Sequence, residues 1–285
     1  MTLLGLTLVL IAAVSHASWN FLAKRVQGGA EVVWMFSAFA TILLLPLAIG
    51  VTMFQSQPIS SLGWIFIIGS SILHLVYFVS LQAGYRNGDL SLVYPTARSL
   101  GPLTAMVLAA IFMSEVPTIQ GGIGAIIIVG GVYALTGGKK QVTNKTTLSL
   151  AFGITAGLMI GSYTVWDAYA VSVLALPPIL LHYWDNVMRT VILLPTAIKR
   201  RAIVAKHWRD HKIEVLGISV LSPLAYILIL YAMSFTPVAY VAPLREVSVL
   251  LTVLAGSLIL GEGHLKHRLT WAGVIMVGVV MLATS

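Results

Sequence analysis

Cysteine is absent from the 285-residue chain, which excludes disulfide scaffolding and any metal centre built on thiolates. Charge is nearly as scarce: Asp, Glu, Lys and Arg together supply 9% of residues. A soluble domain carries about a quarter, so this chain cannot coat a hydrated surface around a single core. No Walker sequence, HExxH or GxSxG occurs, which removes the motif grounds for ATP hydrolysis, metalloproteolysis or acyl transfer. No enzyme activity, cofactor or metal is expected. The formal net charge of +8 is not a nucleic-acid signal, because a basic binding face needs clustered Lys and Arg on a hydrated fold.

What fills the chain instead is apolar, with 58% hydrophobic residues and a mean hydropathy of +0.95. In lipid every backbone group must pair within a helix or a closed barrel. Apolar runs near the ~20 residues that cross a bilayer, without ten-residue alternation, select helices. Ten spans are predicted, at about 3–23, 32–54, 62–85, 89–112, 119–137, 148–172, 177–198, 213–235, 237–260 and 269–284. Most links are short and carry Gly, Pro or charge. The one long hydrophilic link, Lys199 to Lys212, contains Ile203, Val204 and Trp208 and suits an amphipathic segment at the interface. The first span has neither a basic leader nor a small-residue cleavage site, so it is read as a retained helix.

An offset of 147 residues aligns the chain with itself: Trp19 falls on Trp166, Asn20 on Asp167, Arg98 on Arg245, Glu115 on Glu262 and Gly131 on Gly278. The predicted repeats are 1–137 and 148–284. Five spans in each is an odd number, so the second copy enters the membrane from the opposite side. Secondary transporters use such inverted repeats and place their sites near the midplane between them. The expected fold is an all-α integral membrane protein of ten transmembrane helices in two inverted five-helix repeats. Lys24, Arg25, Arg86, Lys139, Lys140, Lys145, Lys199, Arg200, Arg201, Lys206, Arg209 and Lys212 fall on one side, and Lys266 and Arg268 are read on the other. The positive-inside rule then puts the first group in the cytoplasm and both termini outside. The basic excess serves anionic lipid there.

Ionisable residues within spans are costly and mark a pathway unless they are paired. Arg98, between Pro95 and Gly101-Pro102, and Arg245-Glu246, after Pro243, are candidate substrate contacts, with structural ion pairs as the alternative. Asp185 and Arg189 are spaced i,i+4 and suit an intrahelical pair; His182 extends them to a proton-accepting cluster. His16, Trp19 and Asn20 in the first span match Trp166 and Asp167 in the sixth, offering polar groups at matched depths. An interfacial belt suits the two tryptophans equally. Asp167 is the strongest carboxylate for proton coupling. His74, Tyr77, Gln82 and Tyr85 are read as core hydrogen-bonding groups, and Glu115 and Glu262 as N-caps or gate pairs. Glycines such as Gly124, Gly131 and Gly278 permit close helix crossings, so spans five and ten are expected to be scaffold or dimer helices.

These residues resemble the EamA family of the drug/metabolite transporter superfamily. The resemblance rests on His16-Ala17-Ser18-Trp19-Asn20, Tyr94 to Ser99 with Gly101-Pro102-Leu103, and Ser114-Glu115. In the second copy it rests on Ala242 to Ser248, Gly261-Glu262 and Trp271-Ala272-Gly273 through Gly278. It implies a central cavity lined by the first four helices of each repeat, the fifth packed outside. It also implies secondary carriage of amino acids, metabolites, nucleotide sugars or drugs, often by export. The glutamate that small multidrug relatives hold in the first span has no counterpart here, where His16 and Asn20 stand.

The expected function is secondary active transport of a small polar metabolite (amino acid, zwitterion or organic anion) across the bacterial cytoplasmic (inner) membrane, by alternating access with proton coupling, and in the export direction. Flipping of a lipid-linked head group and export of a drug or amine are the alternatives. The expected partners are a small-molecule substrate and membrane lipids, with no nucleic acid, and the expected state is a monomer or homodimer.

Overall fold

The structure is a computed structural model that describes residues 2–26, 28–55, 58–87, 90–136, 144–251 and 265–285. Among these residues it is helical, without strands: α1 (Leu3–Val26), α2 (Ala30–Phe54), α3 (Ser61–Asn87), α4 (Leu90–Phe112), α5 (Ile119–Thr136), α6 (Asn144–Ser172), α7 (Pro178–Lys199), α8 (Arg201–Asp210), α9 (Lys212–Met233), α10 (Val238–Leu244) and α11 (Leu265–Ala283). Among the described residues, five segments are long and apolar enough to cross a bilayer by themselves: Leu3–Ala23, Ala30–Phe54, Ser61–Phe78, Thr147–Ser172 and Lys212–Met233. Large apolar side chains such as Leu3, Ile42, Phe54, Ile111 and Val280 stand exposed on the outside. So much exposed apolar surface is untenable in water; the chain is a multi-pass membrane protein, with lipid as the solvent of this surface. The Lys199–Lys212 link folds as α8, which packs on α2 with Trp208 stacked on Phe39 at 4.8 Å.

Glycines record which helices meet and in which direction. Gly153, Gly157 and Gly161 on α6 face Thr96, Leu100 and Thr104 on α4 in the same order, so these helices run parallel. A Cβ on Gly161 would stand 2.4 Å from the Thr104 side chain, a contact only a glycine allows. Gly63 and Gly84 on α3 face Leu176 and Phe152, so α3 runs antiparallel to α6. Gly5 meets Thr236 and Gly217 meets Leu22, so α1 is antiparallel to α9. With the 147-residue offset, the α1–α9 contact and the α6–α3 contact are counterparts. The α2–α7 and α5–α11 contacts are each their own counterpart. The packing therefore carries the two-repeat pattern seen in the sequence.

The α5–α11 crossing corrects one expectation. A Cβ on Gly124 would lie 2.8 Å from the Gly278 carbonyl oxygen, while Gly131 faces Ile275 and Gly121 faces Ser285. The two helices are thus antiparallel, and α11 starts where α5 ends. Lys266 and Arg268, read as lying opposite the other basic links, follow the start of α11 to the end of α5 that leads into Lys139 and Lys140. A second expectation also changes: α4 stays continuous through Pro95 and Gly101-Pro102, and the helix break falls in the second copy. The latter half of the predicted span 237–260 and Glu262 lie outside the described residues.

Candidate functional site

The break begins with Pro243, which has no N–H to donate. After α10 the bonds tighten: Glu246 N donates to the Pro243 carbonyl at 3.0 Å, Ser248 N to Arg245 at 3.1 Å and Val249 N to Glu246 at 2.9 Å. This three-residue spacing is that of a 3₁₀ turn, and helical backbone resumes over 247–251. Discontinuous helices are how transporters bring polar groups to a buried site. Here the turn holds Arg245 and Glu246 inside the protein, both less than a tenth exposed. The start of α10 is tied to the first half by Glu115, whose Oε2 accepts from Val238 N at 2.6 Å and Ala239 N at 3.4 Å. Glu115 therefore acts as the N-cap the sequence suggested, for a helix of the other copy.

Arg245 reaches a cavity of about 90 Å³. α1 contributes Ala12, His16 and Trp19 to its wall; α3 His74, Tyr77 and Phe78; α4 Arg98; and α6 Tyr163. His182 and Arg189 come from α7, and Ser222, Ala225 and Tyr226 from α9. The wall is thus built of guanidinium, imidazole and phenol groups drawn from both halves.

The charges divide into three sets. Arg189 bonds Asp185 on the same helix face, with His182 Nδ1 3.8 Å from that carboxylate, and the guanidinium lies 5.0 Å over Phe78. Arg98 Nη1 is 3.9 Å from Glu246 Oε1. Arg245 has no carboxylate within ion-pair distance among the described residues; its Nη2 donates to the Tyr163 hydroxyl at 3.4 Å, and its Nη1 has no hydrogen-bond partner. Asp167, fully buried, accepts from the Tyr226 hydroxyl. One contact is repeated by the pseudo-symmetry. Arg98 Nη2 lies 3.4 Å from His16 Nε2, and their counterparts at the 147-residue offset, Arg245 and Tyr163, meet at the same 3.4 Å.

Of the residues singled out from sequence, His16, Trp19, Arg98, Arg189 and Arg245 share the cavity wall. Asn20, Asp167, Asp185 and Glu246 stand behind it, each touching a wall residue. Trp166 does not share it. Its ring stacks on Phe66 at 4.3 Å, its Nε1 donates to the Phe66 carbonyl at 2.8 Å, and a Cβ on Gly69 would strike it at 2.5 Å. It lines a separate apolar groove of about 750 Å³ between α3, α4 and α6. His74 and Tyr77, read as core groups, stand on the cavity wall, with His74 stacked on Tyr163 at 3.9 Å. Ser222 and Tyr226 were missed, and Tyr163, in the polar stretch of the sixth span, was not singled out from its neighbours. Ser222 and Tyr226 are spaced i,i+4 beside Pro223 in an otherwise apolar span, and that spacing was the available signal.

A bundle of membrane-crossing helices in two matched halves, closed around a small polar cavity, defines a membrane transporter. The chain belongs to the EamA-like transporter family, whose sequence profile matches residues 3–137 and 147–284. That family comprises transporters of the drug/metabolite type, not enzymes. The chain is also similar to a solved structure described only as "Crystal structure of protein", with a TM-score of 0.77 and 14% identity, covering 97% of this chain and 98% of that one. At that identity the likeness concerns the fold. No curated protein matches the chain.

Proposed function

We propose that this protein is a secondary active carrier that exports a small polar metabolite bearing an anionic group, such as an amino acid, another zwitterion or an organic anion. The supporting observation is the cavity's charge pattern: three arginines line it, of which Arg189 and Arg98 have carboxylate partners and Arg245 has none among the described residues. Ten spans form two inverted five-helix repeats over 1–137 and 148–284, and they rock about this fixed site to give alternating access. The basic links face the cytoplasm and both termini face outward, in the inner membrane of a bacterium, as a monomer or homodimer. The groove lined by Trp166 would suit a lipid chain, yet no arginine lines it, and the small-solute reading is preferred to a flippase. An amine or drug exporter would call for a carboxylate on the cavity wall, where the lining residues offer none among the described residues.

Asp167 carries the proton coupling. It is fully buried, bonded by a tyrosine that itself lines the cavity, and has no cation within ion-pair distance among the described residues. Reconstituted vesicles test this. Collapse of the proton gradient is expected to remove concentrative flux in the wild type, and Asp167→Asn is expected to retain exchange without concentration. Concentrative flux that ignores the gradient sinks the coupling.

A further inference from the structure

Two side chains on the cavity wall hold buried hydrogen-bonding groups that are unmet among the described residues, and the two are of opposite kinds. Arg245 Nη1 has no partner, and a guanidinium only donates. His182 is less than a tenth exposed, and neither of its ring nitrogens is bonded. Its Nδ1 stands 3.8 Å from Asp185 Oδ2, too far for a hydrogen bond, yet close enough for that carboxylate to favour the tautomer that carries the proton on Nδ1. Nε2 then holds the lone pair and is an acceptor. Asp185 is committed to Arg189, so this end of the cavity offers a neutral acceptor. Buried polar groups are as a rule hydrogen-bonded, and one ligand can meet both of these.

Ring faces make up the wall between them. Arg245 Nη2 donates to the Tyr163 hydroxyl oxygen at 3.4 Å. The Tyr163 ring centroid is 6.3 Å from that of Tyr226, which in turn is 5.2 Å from the His182 ring. Tyr226 gives its hydroxyl proton to Asp167, and His74 stacks on Tyr163 at 3.9 Å. From Arg245 through Tyr163 and Tyr226 to His182, the wall therefore reads cation, apolar ring faces, neutral acceptor. We infer that His182 is a specificity-determining residue and that the cavity is built for a hydroxy acid whose hydroxyl stands several carbons from its anionic group. The anionic group meets Arg245, the intervening methylenes lie on the tyrosine rings, and the hydroxyl donates to His182 Nε2. Two groups on adjacent atoms, as in a 2-hydroxy acid or an α-amino acid, do not reach across a tyrosine ring. A hydroxyl suits this end better than an ammonium, since among the described residues no carboxylate lines the wall. This inference rests on the carrier reading and narrows its substrate to one class.

The test uses the purified full-length protein in detergent, with 4-hydroxybutyrate, 2-hydroxybutyrate, butyrate and 4-aminobutyrate as probes in calorimetry. 4-Hydroxybutyrate is expected to bind about tenfold more tightly than each of the other three, the scale of one buried hydrogen bond. His182→Phe keeps the ring and removes the acceptor; it is expected to bind butyrate like wild type and to lose the tenfold preference for 4-hydroxybutyrate. Unchanged butyrate affinity shows that the variant is folded, and a merely structural role would not move the ratio alone. Nitrogen-15 spectra of the wild-type His182 ring supply a readout that needs no variant: the Nε2 signal is expected to shift on binding 4-hydroxybutyrate and to stay in place with butyrate. Equal binding of 4-hydroxybutyrate and any of the other three by the wild type, an Nε2 signal that ignores the hydroxyl, or a preference that survives in His182→Phe each overturns the inference. Vesicles that carry some solute while 4-hydroxybutyrate binds no better than butyrate overturn it and leave the carrier reading standing; no flux of any solute together with no binding removes both.

Discussion

Single residues in this protein are governed by what a buried charge finds within reach. Arg189 and Asp185 form a neutral unit on one face of α7, and their i,i+4 spacing made that pair legible in the sequence. Removing one member strands the other in a low-dielectric interior, so Asp185→Asn is expected to lower stability by about 3–5 kcal/mol, measured by thermal unfolding in detergent; unchanged unfolding would show that Arg189 finds another acceptor. Arg98 and Arg245 were legible as a matched pair because arginine is rare in membrane spans and an offset shared with tryptophan and glutamate is hard to obtain by chance. Trp166 was not, because its position in a helix does not reveal which neighbour its ring meets. Phe66 and a glycine at position 69 decide that, and both come from another helix. Tyr226 was missed, and Tyr163 not singled out, for a related reason: a phenol is common in apolar spans, and only the convergence of α3, α6 and α9 gives Tyr163 and Tyr226 a shared purpose.

At the scale of elements, the described helices follow the apolar runs, five of them long and apolar enough to cross a bilayer, whereas the location of the break did not follow from hydropathy. Proline stands in both copies, yet α4 continues through Pro95 and Pro102 while the backbone after Pro243 tightens at Arg245 and Glu246. α4 is held along its length against the glycine face of α6, and that tertiary support is absent from any local pattern. The Glu115 cap joins the link after α4 to the start of α10 and is the element-scale contact most open to a pH test. Burial holds the Glu115 carboxyl above its ordinary range, against the two backbone N–H groups that favour the ionised form. A carboxyl raised in the folded state contributes stability that is greatest below the ordinary glutamate range and is lost as pH rises through the raised value. The stability of wild type relative to Glu115→Gln is therefore expected to decline as pH rises across that window, followed as melting temperature. A difference that grows with pH would contradict the burial of this carboxyl.

The whole molecule is organised by its pseudo-symmetry. The counterpart contacts α1–α9 and α6–α3, the self-paired α2–α7 and α5–α11, and the repeated 3.4 Å arginine contacts all follow the 147-residue offset. The architecture was legible because the offset survives in chemically distinctive residues. The side of Lys266 and Arg268 was misread: they follow the ninth of the ten predicted spans, and the links after odd-numbered spans all lie on one side. Helix polarity now groups them with the other basic links, which strengthens the proposed orientation. The absence of cysteine makes this directly testable. Lys206→Cys is expected to be shielded from an impermeant thiol reagent in intact cells and Ser60→Cys to react; the reverse pattern inverts the topology.

The most direct measurement of the central claim is flux in reconstituted vesicles over amino acids, organic acids and amines, comparing wild type with Arg98→Ala and Arg245→Ala at matched amounts of folded protein. The expected result is carriage of a solute bearing an anionic group by the wild type, reduced about tenfold or more in each variant, the scale of a lost charge-assisted contact. Equal flux by all three proteins would contradict the assignment of the arginine cavity as the transport site.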